Sequence, residues 1–294
     1  MDHKTLSPAL SGARIEENFS YRETSASEID TEIIHDIITR GDHNGAIVYV
    51  LRNAFRPEAA VRLAENFDRL LYETNGGNRH DDGYVKTNQI GATQFSRSGE
   101  EYVRDVIGTA QMSLDLLDEL SSDEIEQMFN TELLEKIFAK KGVVFRSSRF
   151  KSVPGGFCAF RRWLDNGEMA LMPHEDTAQL ITARTDDYEI AGARHVVSYN
   201  AAVETTDKGG ELVVWNLNPD DRCRENLSLV GTGYPYPIRE LEGVELFTVQ
   251  LRQGDAYFLN SSFIHGVSSV QAGRRLTGGR FIGKITDDLV VYWT

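Results

Sequence analysis

The sequence predicts an α+β fold in which helices pack against a β core of the jelly-roll kind, and two observations support this prediction. Residues 29–141 of the 294-residue chain consist mainly of segments whose apolar residues recur at helical spacing. From residue 142 onward, short segments rich in β-branched and aromatic residues recur, separated by Gly, Asn, Asp and Pro. Several short strands without intervening helices are typical of a sandwich or barrel. We therefore predict one domain over 29–294, with a helical layer (29–141) and a jelly-roll core (142–294).

The first half of the chain carries the helix signals. Residues 1–28 are polar, and we expect them to form an arm over the surface or to be partly disordered. The segments predicted to be helical are Glu28–Ile38, Pro57 to about Tyr72, Glu101–Leu120 and one that begins at Ser121. Pro57 suits the first turn of a helix, and Glu124 follows Ser121 by three residues in a capping-box pattern. A short strand over Ala46–Leu51 is expected between the first two helices.

The second half carries the strand signals. The predicted strands are Gly155–Trp163, His195–Ala202, Glu211–Trp215, Leu246–Leu251, Ala256–Leu259, Leu276–Ile285 and Leu289–Trp293. A long stretch with few hydrophobic residues, 216–237, interrupts this series, and a polar glycine-rich stretch, 75–83, separates two helices. We expect both stretches to cover a pocket. The shorter one is a flexible polar break between helices, and the longer one exceeds about 15 residues, a length at which loops in a compact domain are often functional.

Composition restricts the partners of the chain. The net charge is −14, from 45 acidic and 31 basic side chains, which disfavours nucleic acid and anionic membranes as partners. No apolar run approaches the roughly 18 to 20 residues that a membrane-spanning helix needs. The two cysteines, Cys158 and Cys223, provide neither a disulfide framework nor a CxxC metal site. We expect a cytoplasmic protein that acts on a small molecule, and the sequence leaves its oligomeric state open.

Three residues in the second half form a pattern typical of metal binding. His174 and Asp176 flank Glu175, and His265 follows His174 by 91 positions (265 minus 174). In a strand, residues i and i+2 point to the same side, so His174 and Asp176 are able to face one ion while Glu175 faces away. Two histidines and one carboxylate leave three coordination positions open, as in non-haem Fe(II) oxygenases. The sequence therefore predicts an iron site at His174, Asp176 and His265.

A second stretch of the chain shows similar spacing. His80-Asp81-Asp82 precedes His174 by 94 positions (174 minus 80), and Arg184 lies ten residues beyond that histidine. A histidine close to an aspartate more often forms a surface hydrogen bond with it than binds a metal. Because both stretches have similar spacing, spacing alone does not tell which of them is the metal site. The chain between 80 and 174 is largely helical in pattern and does not supply the β core. This context favours the site at 174, 176 and 265.

The residues around this predicted site resemble a known family. The glycine-led segment Lys208–Trp215 (KGGELVVW) lies between the two halves of the site, and residues 142–285 resemble the Fe(II)/2-oxoglutarate-dependent dioxygenase superfamily. The KGGELVVW segment resembles the freestanding halogenases that act on hapalindole-type alkaloids, whose hydroxylating relatives include the β-hydroxylases of N-acyl amino acids. The resemblance implies a double-stranded β-helix (jelly-roll, cupin-like) core that uses Fe(II), 2-oxoglutarate and O2.

One departure from the halogenases bears on the reaction. Those enzymes carry Gly or Ala in place of the metal-binding carboxylate, which frees a coordination position for chloride, whereas this chain has Asp176. A carboxylate at that position fills the place of the halide. The resemblance therefore implies hydroxylation of an unactivated C–H bond of a small molecule, with release of succinate and CO2. The expected substrate is an (N-acyl) amino acid or another natural-product intermediate, possessing a carboxylate that basic residues recognise.

Basic and aromatic residues near the site are candidates for ligand binding. Carried over from the family, Arg275, ten residues after His265, binds the distal carboxylate of 2-oxoglutarate through two parallel hydrogen bonds, with Thr277 as a second donor. Arg274 is the alternative, because a register slip of one residue exchanges the faces of a strand. The candidates for substrate binding are Arg161, Arg162, Phe160 and Trp215. The arginines could equally pair with surplus acids, and aromatic residues on strands are often core residues.

Two other functions are compatible with a metal-binding barrel. A non-catalytic barrel would be expected to lack one ligand or the 2-oxoglutarate arginine, whereas this chain has all four residues. A Zn- or Mn-dependent cupin-like barrel usually supplies HxH where this chain has HxD. Conversion of 2-oxoglutarate to succinate without substrate separates both alternatives from an oxygenase.

Overall fold

The fold is a mixture of helices and two larger β-sheets, seen in a computed structural model that describes residues 7–74, 87–163 and 169–294. The α-helices in these ranges are α1 (Thr31–Arg40), α2 (Pro57–Glu73), α3 (Gly99–Leu117), α4 (Ser122–Phe129), α5 (Thr131–Ala139), α6 (Ala178–Arg184) and α7 (Asp221–Asn226). Short 3-10 turns cover Ala26–Glu28, Glu189–Gly192 and Ile238–Leu241. None of the described helices is long and apolar enough to cross a membrane.

The strands are concentrated in the second half of the chain. They are β1 (Gly12–Ala13), β2 (Ser20–Ser25), β3 (Ala46–Arg52), β4 (Thr87–Ile90), β5 (Val144–Ser147), β6 (Arg149–Phe150), β7 (Val153–Pro154), β8 (Ala159–Trp163), β9 (Leu171–His174), β10 (Val197–Glu204), β11 (Lys208–Gly209), β12 (Leu212–Trp215), β13 (Asn218–Pro219), β14 (Leu246–Val249), β15 (Ala256–Asn260), β16 (His265–Val267), β17 (Val270–Ala272), β18 (Arg275–Thr286) and β19 (Leu289–Trp293). Each segment predicted as a strand in this half overlaps one of them, with small shifts of the ends.

Two sheets hold most of these strands. The larger sheet has nine strands in the order β2-β3-β15-β10-β18-β19-β5, with β8 pairing with β18 and β4 pairing with β8. The smaller sheet has four strands in the order β14-β12-β16-β9. The pairs are antiparallel except β2 with β3 and β5 with β19, which are parallel. Neighbours in the sheets are far apart in sequence, so the sheets bring distant side chains together.

The larger sheet lies between helices α1 to α5 and the smaller sheet. On one of its faces, Tyr49 of β3 and Phe258 of β15 pack in a common core with residues of α1 to α5, among them Phe67. On the opposite face, the next residues along these strands, Val50 and Tyr257, pack with residues of the smaller sheet. Alternation of side chains along each strand therefore fills both cores, as the period of a β-strand requires.

The helix signals read from the sequence are confirmed with small shifts of their ends. Pro57 occupies the first turn of α2, whose apolar face is buried. The Ser121 and Glu124 capping box is formed at the start of α4, each side chain bonding the other's backbone N–H. A second capping box, not predicted from the sequence, opens α3 between Ser98 and Glu101.

Three elements differ from the sequence-based expectation. Ser20–Ser25, within the predicted polar arm, forms the edge strand β2 and pairs with β3. Its polar, largely exposed residues give no alternating apolar pattern, so the strand is recognisable only through its partner. The polar segment Thr87–Ile90 is strand β4 inside the predicted helical layer. Helix α5 follows α4 directly across Asn130, whose φ of 51° ends one helix before the next begins.

A buried arginine joins the larger sheet to the helices. Arg280 of β18 is 2% exposed, and its Nη2 donates to the carbonyl oxygen of Phe129 at 2.8 Å and to Thr131 Oγ1 at 3.1 Å. Its Nε and Nη1 have no hydrogen-bond partner among the described residues. Aromatic rings surround the guanidinium instead, with Cζ at 4.5 Å from the ring centre of Tyr292 and 5.4 Å from that of Phe157. Cation–π attraction therefore stabilises a charge that is removed from water.

We expect Arg280→Ala to lower the free energy of unfolding by about 3 kcal/mol, because it opens a cavity and removes the ties to the α4–α5 junction. Urea denaturation followed by circular dichroism measures this change. Arg104→Ala, at an exposed arginine of α3 paired with Glu100, is the control and should leave the midpoint unchanged. Equal midpoints for the Arg280 variant and the wild type would mean that the aromatic surroundings do not stabilise the arginine.

Candidate active site

The three predicted iron ligands meet at the edge of the smaller sheet. His174 is the last residue of β9, and His265 is the first residue of β16. The two strands are antiparallel neighbours, and their register places His265 directly opposite His174. Asp176 follows β9 after one intervening residue, and its N–H donates to the carbonyl oxygen of Ser261 at 2.9 Å. Strand pairing therefore brings together residues that are far apart in the sequence.

The ligand atoms of this triad point toward a common centre. His174 Nε2 lies 3.8 Å from Asp176 Oδ1, and His265 Nε2 lies 3.6 Å from Asp176 Oδ2. The centres of the two imidazole rings are 4.1 Å apart, with the ring planes inclined by 45°. One ligand atom from each of the three residues lies within 4.8 Å of the others. The arrangement is that of three groups able to contact one ion.

Hydrogen bonds fix which nitrogen of each imidazole faces this centre. His174 Nδ1 lies 3.0 Å from the carbonyl oxygen of Met172, and His265 Nδ1 lies 2.9 Å from that of Phe263. A carbonyl oxygen only accepts hydrogen bonds, so both Nδ1 atoms carry the proton and donate. Each Nε2 then has its lone pair available on the side of Asp176. Partners of this kind orient metal-binding histidines in many proteins.

The third group of the triad is a buried carboxylate. Asp176 is 7% exposed, and burial raises the pKa of its carboxyl, while His265 and Ser261 lower this pKa in part. A divalent cation between the three groups would favour the ionised form. Two imidazole nitrogens with free lone pairs and one buried carboxylate are the donor set that suits Fe(II) with open positions. The residues present therefore fit the ion.

A second group of possible ligands among the described residues fits a metal less well. Glu32, His35 and Asp36 lie within two turns of α1; Glu32 is exposed, and the other two are half-buried. Asp36 is already paired with His43 Nδ1 at 2.9 Å, and Glu32 with Lys141 Nζ at 3.2 Å. These contacts account for the cluster as hydrogen-bonded surface groups.

A cavity extends from the triad across the inner face of the larger sheet. Its wall includes Arg275 and Thr277 of β18, together with Trp163 of β8 and Tyr257 of β15. Arg275 is 4% exposed, and its guanidinium Cζ lies 5.5 Å from the ring centre of Trp163. Burial lowers the pKa of Arg275, and a hydrogen bond with Tyr257 opposes this change. The cavity therefore combines a buried cation with the predicted metal ligands.

Arg274, the alternative to Arg275, faces the other side of the sheet. It is about half exposed, and its Nη1 lies 2.9 Å from Asp68 Oδ2 while its Nη2 lies 2.6 Å from Glu204 Oε1. Successive residues of a strand point to opposite faces, so only one of two adjacent arginines reaches the cavity. The structure places Arg275 there and not Arg274.

The same alternation separates Arg161 from Arg162. Arg161 lines the cavity, where its Nε donates to Gln89 Oε1 at 3.0 Å and its Nη2 to Thr93 Oγ1 at 3.2 Å. Arg162 points to the helical side and forms ion pairs with Asp68 and with Glu204, the latter at 2.9 Å. Arg162 was predicted to bind substrate, but its charge is used to join β8 to α2.

The two aromatic candidates for substrate binding lie in hydrophobic cores. Phe160 is 1% exposed on the helical side of β8, where its ring meets that of Phe129 edge to face at 6.0 Å between centres. Trp215 packs with Leu217 and Ile264 in a separate cluster of buried residues. The structure therefore does not bring Phe160 or Trp215 to the cavity, because their strand positions point elsewhere.

Several residues of the cavity wall were not identified from the sequence. Tyr257, Ser198 and Asn200 reach it from β15 and β10, and Gln179 reaches it from α6. For Ser198 and Asn200 the sequence does hold a signal, because they are polar residues in the otherwise apolar strand β10, and a buried strand seldom carries polar groups without a role. Tyr257 gives no such signal, because tyrosine is common in strands.

The two predicted covering loops have different outcomes. Residues 75–83, and with them His80-Asp81-Asp82, lie outside the described residues. Residues 216–237 contain β13, α7 and a group of buried side chains that includes Cys223 and Tyr236. Tyr234 of this segment lines the cavity, and the centre of its ring is 6.0 Å from that of His174. The segment is thus packed against the site and forms part of its wall.

Comparisons with known proteins identify the family of this chain. The model of the carrier-protein-independent halogenase WelO5 family matches residues 153–294, which include the triad and Arg275. The L-isoleucine 3(1)-dioxygenase of Pantoea ananatis (strain AJ13355) is 48% identical over 296 aligned positions, which cover 100% of this chain and 99% of that protein. A solved N-substituted L-amino acid dioxygenase from Burkholderia ambifaria AMMD has a similar fold, with a TM-score of 0.50 and 10% identity over 90% of this chain and 91% of that one. The chain belongs to the Fe(II)- and 2-oxoglutarate-dependent dioxygenases.

Proposed function

We propose that this enzyme hydroxylates an aliphatic amino acid, either free or N-substituted, at an iron ion held by His174, Asp176 and His265. The observation that carries the proposal is the meeting of these three side chains beside a cavity that also contains a buried arginine. The nearly full-length relative named for L-isoleucine supports an amino acid as substrate. We also propose that the two facing sheets are the halves of a double-stranded β-helix, and that the enzyme works in the cytoplasm, where the buried Cys158 and Cys223 thiols stay reduced.

Each group of residues has a defined part in this proposal. The triad binds the ion, and the Met172 and Phe263 carbonyl groups keep its imidazoles oriented. Arg275 and Thr277 bind the distal carboxylate of 2-oxoglutarate. Bound there, Fe(II) supplies the oxidative chemistry in which 2-oxoglutarate and O2 yield succinate and CO2 while one oxygen atom enters a C–H bond of the substrate.

The substrate end of the cavity combines a cation with apolar walls. We assign Arg161 to the substrate carboxylate, because its side chain lines the cavity on the same face of the larger sheet as Arg275. Leu171, Leu212 and Val267 line the cavity on the side of the smaller sheet. These apolar side chains exclude water and give an alkyl side chain its contacts.

The retained carboxylate decides between hydroxylation and halogenation. The resemblance to halogenases implies that Asp176 stands where those enzymes carry a small residue, so that its oxygen atom would fill the position of a halide. A Zn- or Mn-dependent cupin-like function and a non-catalytic barrel are both disfavoured by the close relationship to a dioxygenase. The test measures the succinate released from 2-oxoglutarate, with Fe(II) and O2 present, when free, N-acylated or amidated aliphatic amino acids are added one at a time. If no amino acid stimulates succinate release above the substrate-free rate, the assignment of the substrate class is wrong.

Replacing Arg161 tests its role in recognition of the substrate. We expect Arg161→Gln to raise the KM for the amino acid by roughly 30-fold, which corresponds to about 2 kcal/mol for a lost charge-assisted hydrogen bond. The KM for 2-oxoglutarate should stay unchanged, and the wild type should show a comparable loss with the amino acid amide. Initial rates of hydroxylation over a range of substrate concentrations measure both effects. If the variant still prefers the acid over the amide as strongly as the wild type does, another residue binds the substrate carboxylate.

A further inference from the structure

The residue between two of the iron ligands has an extensive hydrogen-bond network of its own. Glu175 is fully buried, and its Oε2 accepts from the N–H groups of Thr177 at 2.6 Å and Ala178 at 3.2 Å and from the Thr177 hydroxyl. The carboxylate thereby closes the turn that leads from the ligands into α6. This turn presents His174 and Asp176, so its shape sets the direction of both ligands.

An arginine from a different part of the chain completes this network. Arg224 of α7 is 7% exposed, and its Nε donates to Glu175 Oε1 at 2.8 Å. Its Nη2 donates to Thr177 Oγ1 at 2.9 Å, and its Nη1 to Asp221 Oδ1 at 3.0 Å. The guanidinium is held at three nitrogens, so it fixes the turn at two points.

The backbone of the 216–237 segment also pairs with the ligand turn. The N–H of Glu175 donates to the carbonyl oxygen of Gly233 at 3.1 Å, and that of Tyr236 donates to the carbonyl oxygen of Pro173 at 2.7 Å. Gly233 has a φ of +57°, and a Cβ there would lie 2.7 Å from two oxygen atoms of Glu175. Only glycine permits this close approach. Tyr234, the next residue, lines the cavity beside His174.

We propose that Glu175 and Arg224 are positioning residues for the iron site, a role that rests on the proposed function and goes beyond it. Their buried ion pair fastens the ligand turn to the segment that carries Tyr234, so the ligands and this part of the cavity wall move together. Loss of the pair leaves an uncompensated buried charge, which the turn accommodates by changing shape. Iron binding then weakens, and the substrate loses its alignment with the oxidising centre.

Metal affinity separates positioning from a general effect on stability. We expect Arg224→Met to weaken Fe(II) binding about 10- to 100-fold, as loss of groups that orient metal ligands does in other proteins. Anaerobic titration with Fe(II) in the presence of 2-oxoglutarate, followed by the visible absorption of the complex, measures this change in the folded protein. Arg222→Met, at an exposed arginine two residues earlier in α7, is the matched control and should bind Fe(II) as the wild type does.

The ratio of hydroxylated product to succinate is the second measurement. We expect this ratio to fall in Arg224→Met and in Glu175→Gln, with part of the loss restored in Arg224→Lys, which keeps the charge. The double variant Glu175→Gln/Arg224→Met should lose less than the sum of the two single losses, because both changes remove the same interaction. Variants that lose only thermal stability, with wild-type Fe(II) affinity and wild-type coupling, would overturn the proposal. Failure of the wild type itself to bind Fe(II) would instead overturn the proposed function.

Discussion

Replacing Asp176 with alanine should abolish hydroxylation and weaken Fe(II) binding by about 100-fold or more, since loss even of groups that only orient a ligand costs 10- to 100-fold. The carboxylate is the single anionic member of the triad, and the two imidazoles that remain supply no charge to offset that of the ion. Product analysis by mass spectrometry and anaerobic Fe(II) titration measure the two effects. Asp118→Ala, at an exposed aspartate that ends α3, is the control.

The same variant addresses the relationship to halogenases. Removing the Asp176 side chain creates the small residue that those enzymes carry, with space for chloride beside the two imidazoles. Chlorinated product from Asp176→Ala in the presence of chloride would show that this carboxylate separates the two reactions. Hydroxylation that persists in the variant would show that another residue supplies the carboxylate, and the proposed triad would be wrong.

Replacing Arg275 with methionine should raise the KM for 2-oxoglutarate by about 100-fold, because two charge-assisted hydrogen bonds worth about 3 kcal/mol are lost. The buried position of Arg275 strengthens the expectation, since water does not replace the guanidinium easily. Initial rates of succinate formation at increasing 2-oxoglutarate concentration measure the change. The KM for the amino acid should change much less.

Arg274→Met is the matched control for this experiment. The two arginines are adjacent in the chain, but Arg274 is about half exposed and pairs with Asp68 and Glu204 on the opposite face. We expect its KM for 2-oxoglutarate to equal that of the wild type. A large effect at Arg274 with none at Arg275 would reverse the assignment of the two residues.

The part of the proposed iron site formed by His174 and Asp176 was predictable from the sequence, because its signal is local. His174 and Asp176 share a face through the period-2 alternation of a strand, which depends on spacing alone. The choice of His265 depended on recognising a strand-rich second half, and the pairing of β16 with β9 provides the contact. The fit of the imidazole nitrogens, set by backbone carbonyl groups two residues earlier, is not visible in the sequence.

The sequence does not show which of two adjacent arginines faces the cavity. Arg161 and Arg162, like Arg274 and Arg275, are adjacent, and one member of each pair faces the cavity while the other faces the helices. Which member does so depends on the register of β8 against β18, a long-range property. The edge strand β2 was missed for a related reason, because its exposed polar residues carry no pattern and only pairing with β3 makes it a strand.

The two arginines that face the helical side of the larger sheet, Arg162 and Arg274, have a consequence for engineering of this enzyme. Arg162 and Arg274 share the carboxylates of Asp68 and Glu204, so a helix of the first half is bridged ionically to strands of the second. Consider a chimaera that takes its first half from a relative without an acid at the position of Asp68. In it, the buried Arg162 and its neighbour Arg274 would share the single carboxylate of Glu204. New substrate preferences should therefore be sought by exchanging individual side chains of the cavity wall, since a crossover between the halves divides an electrostatic unit.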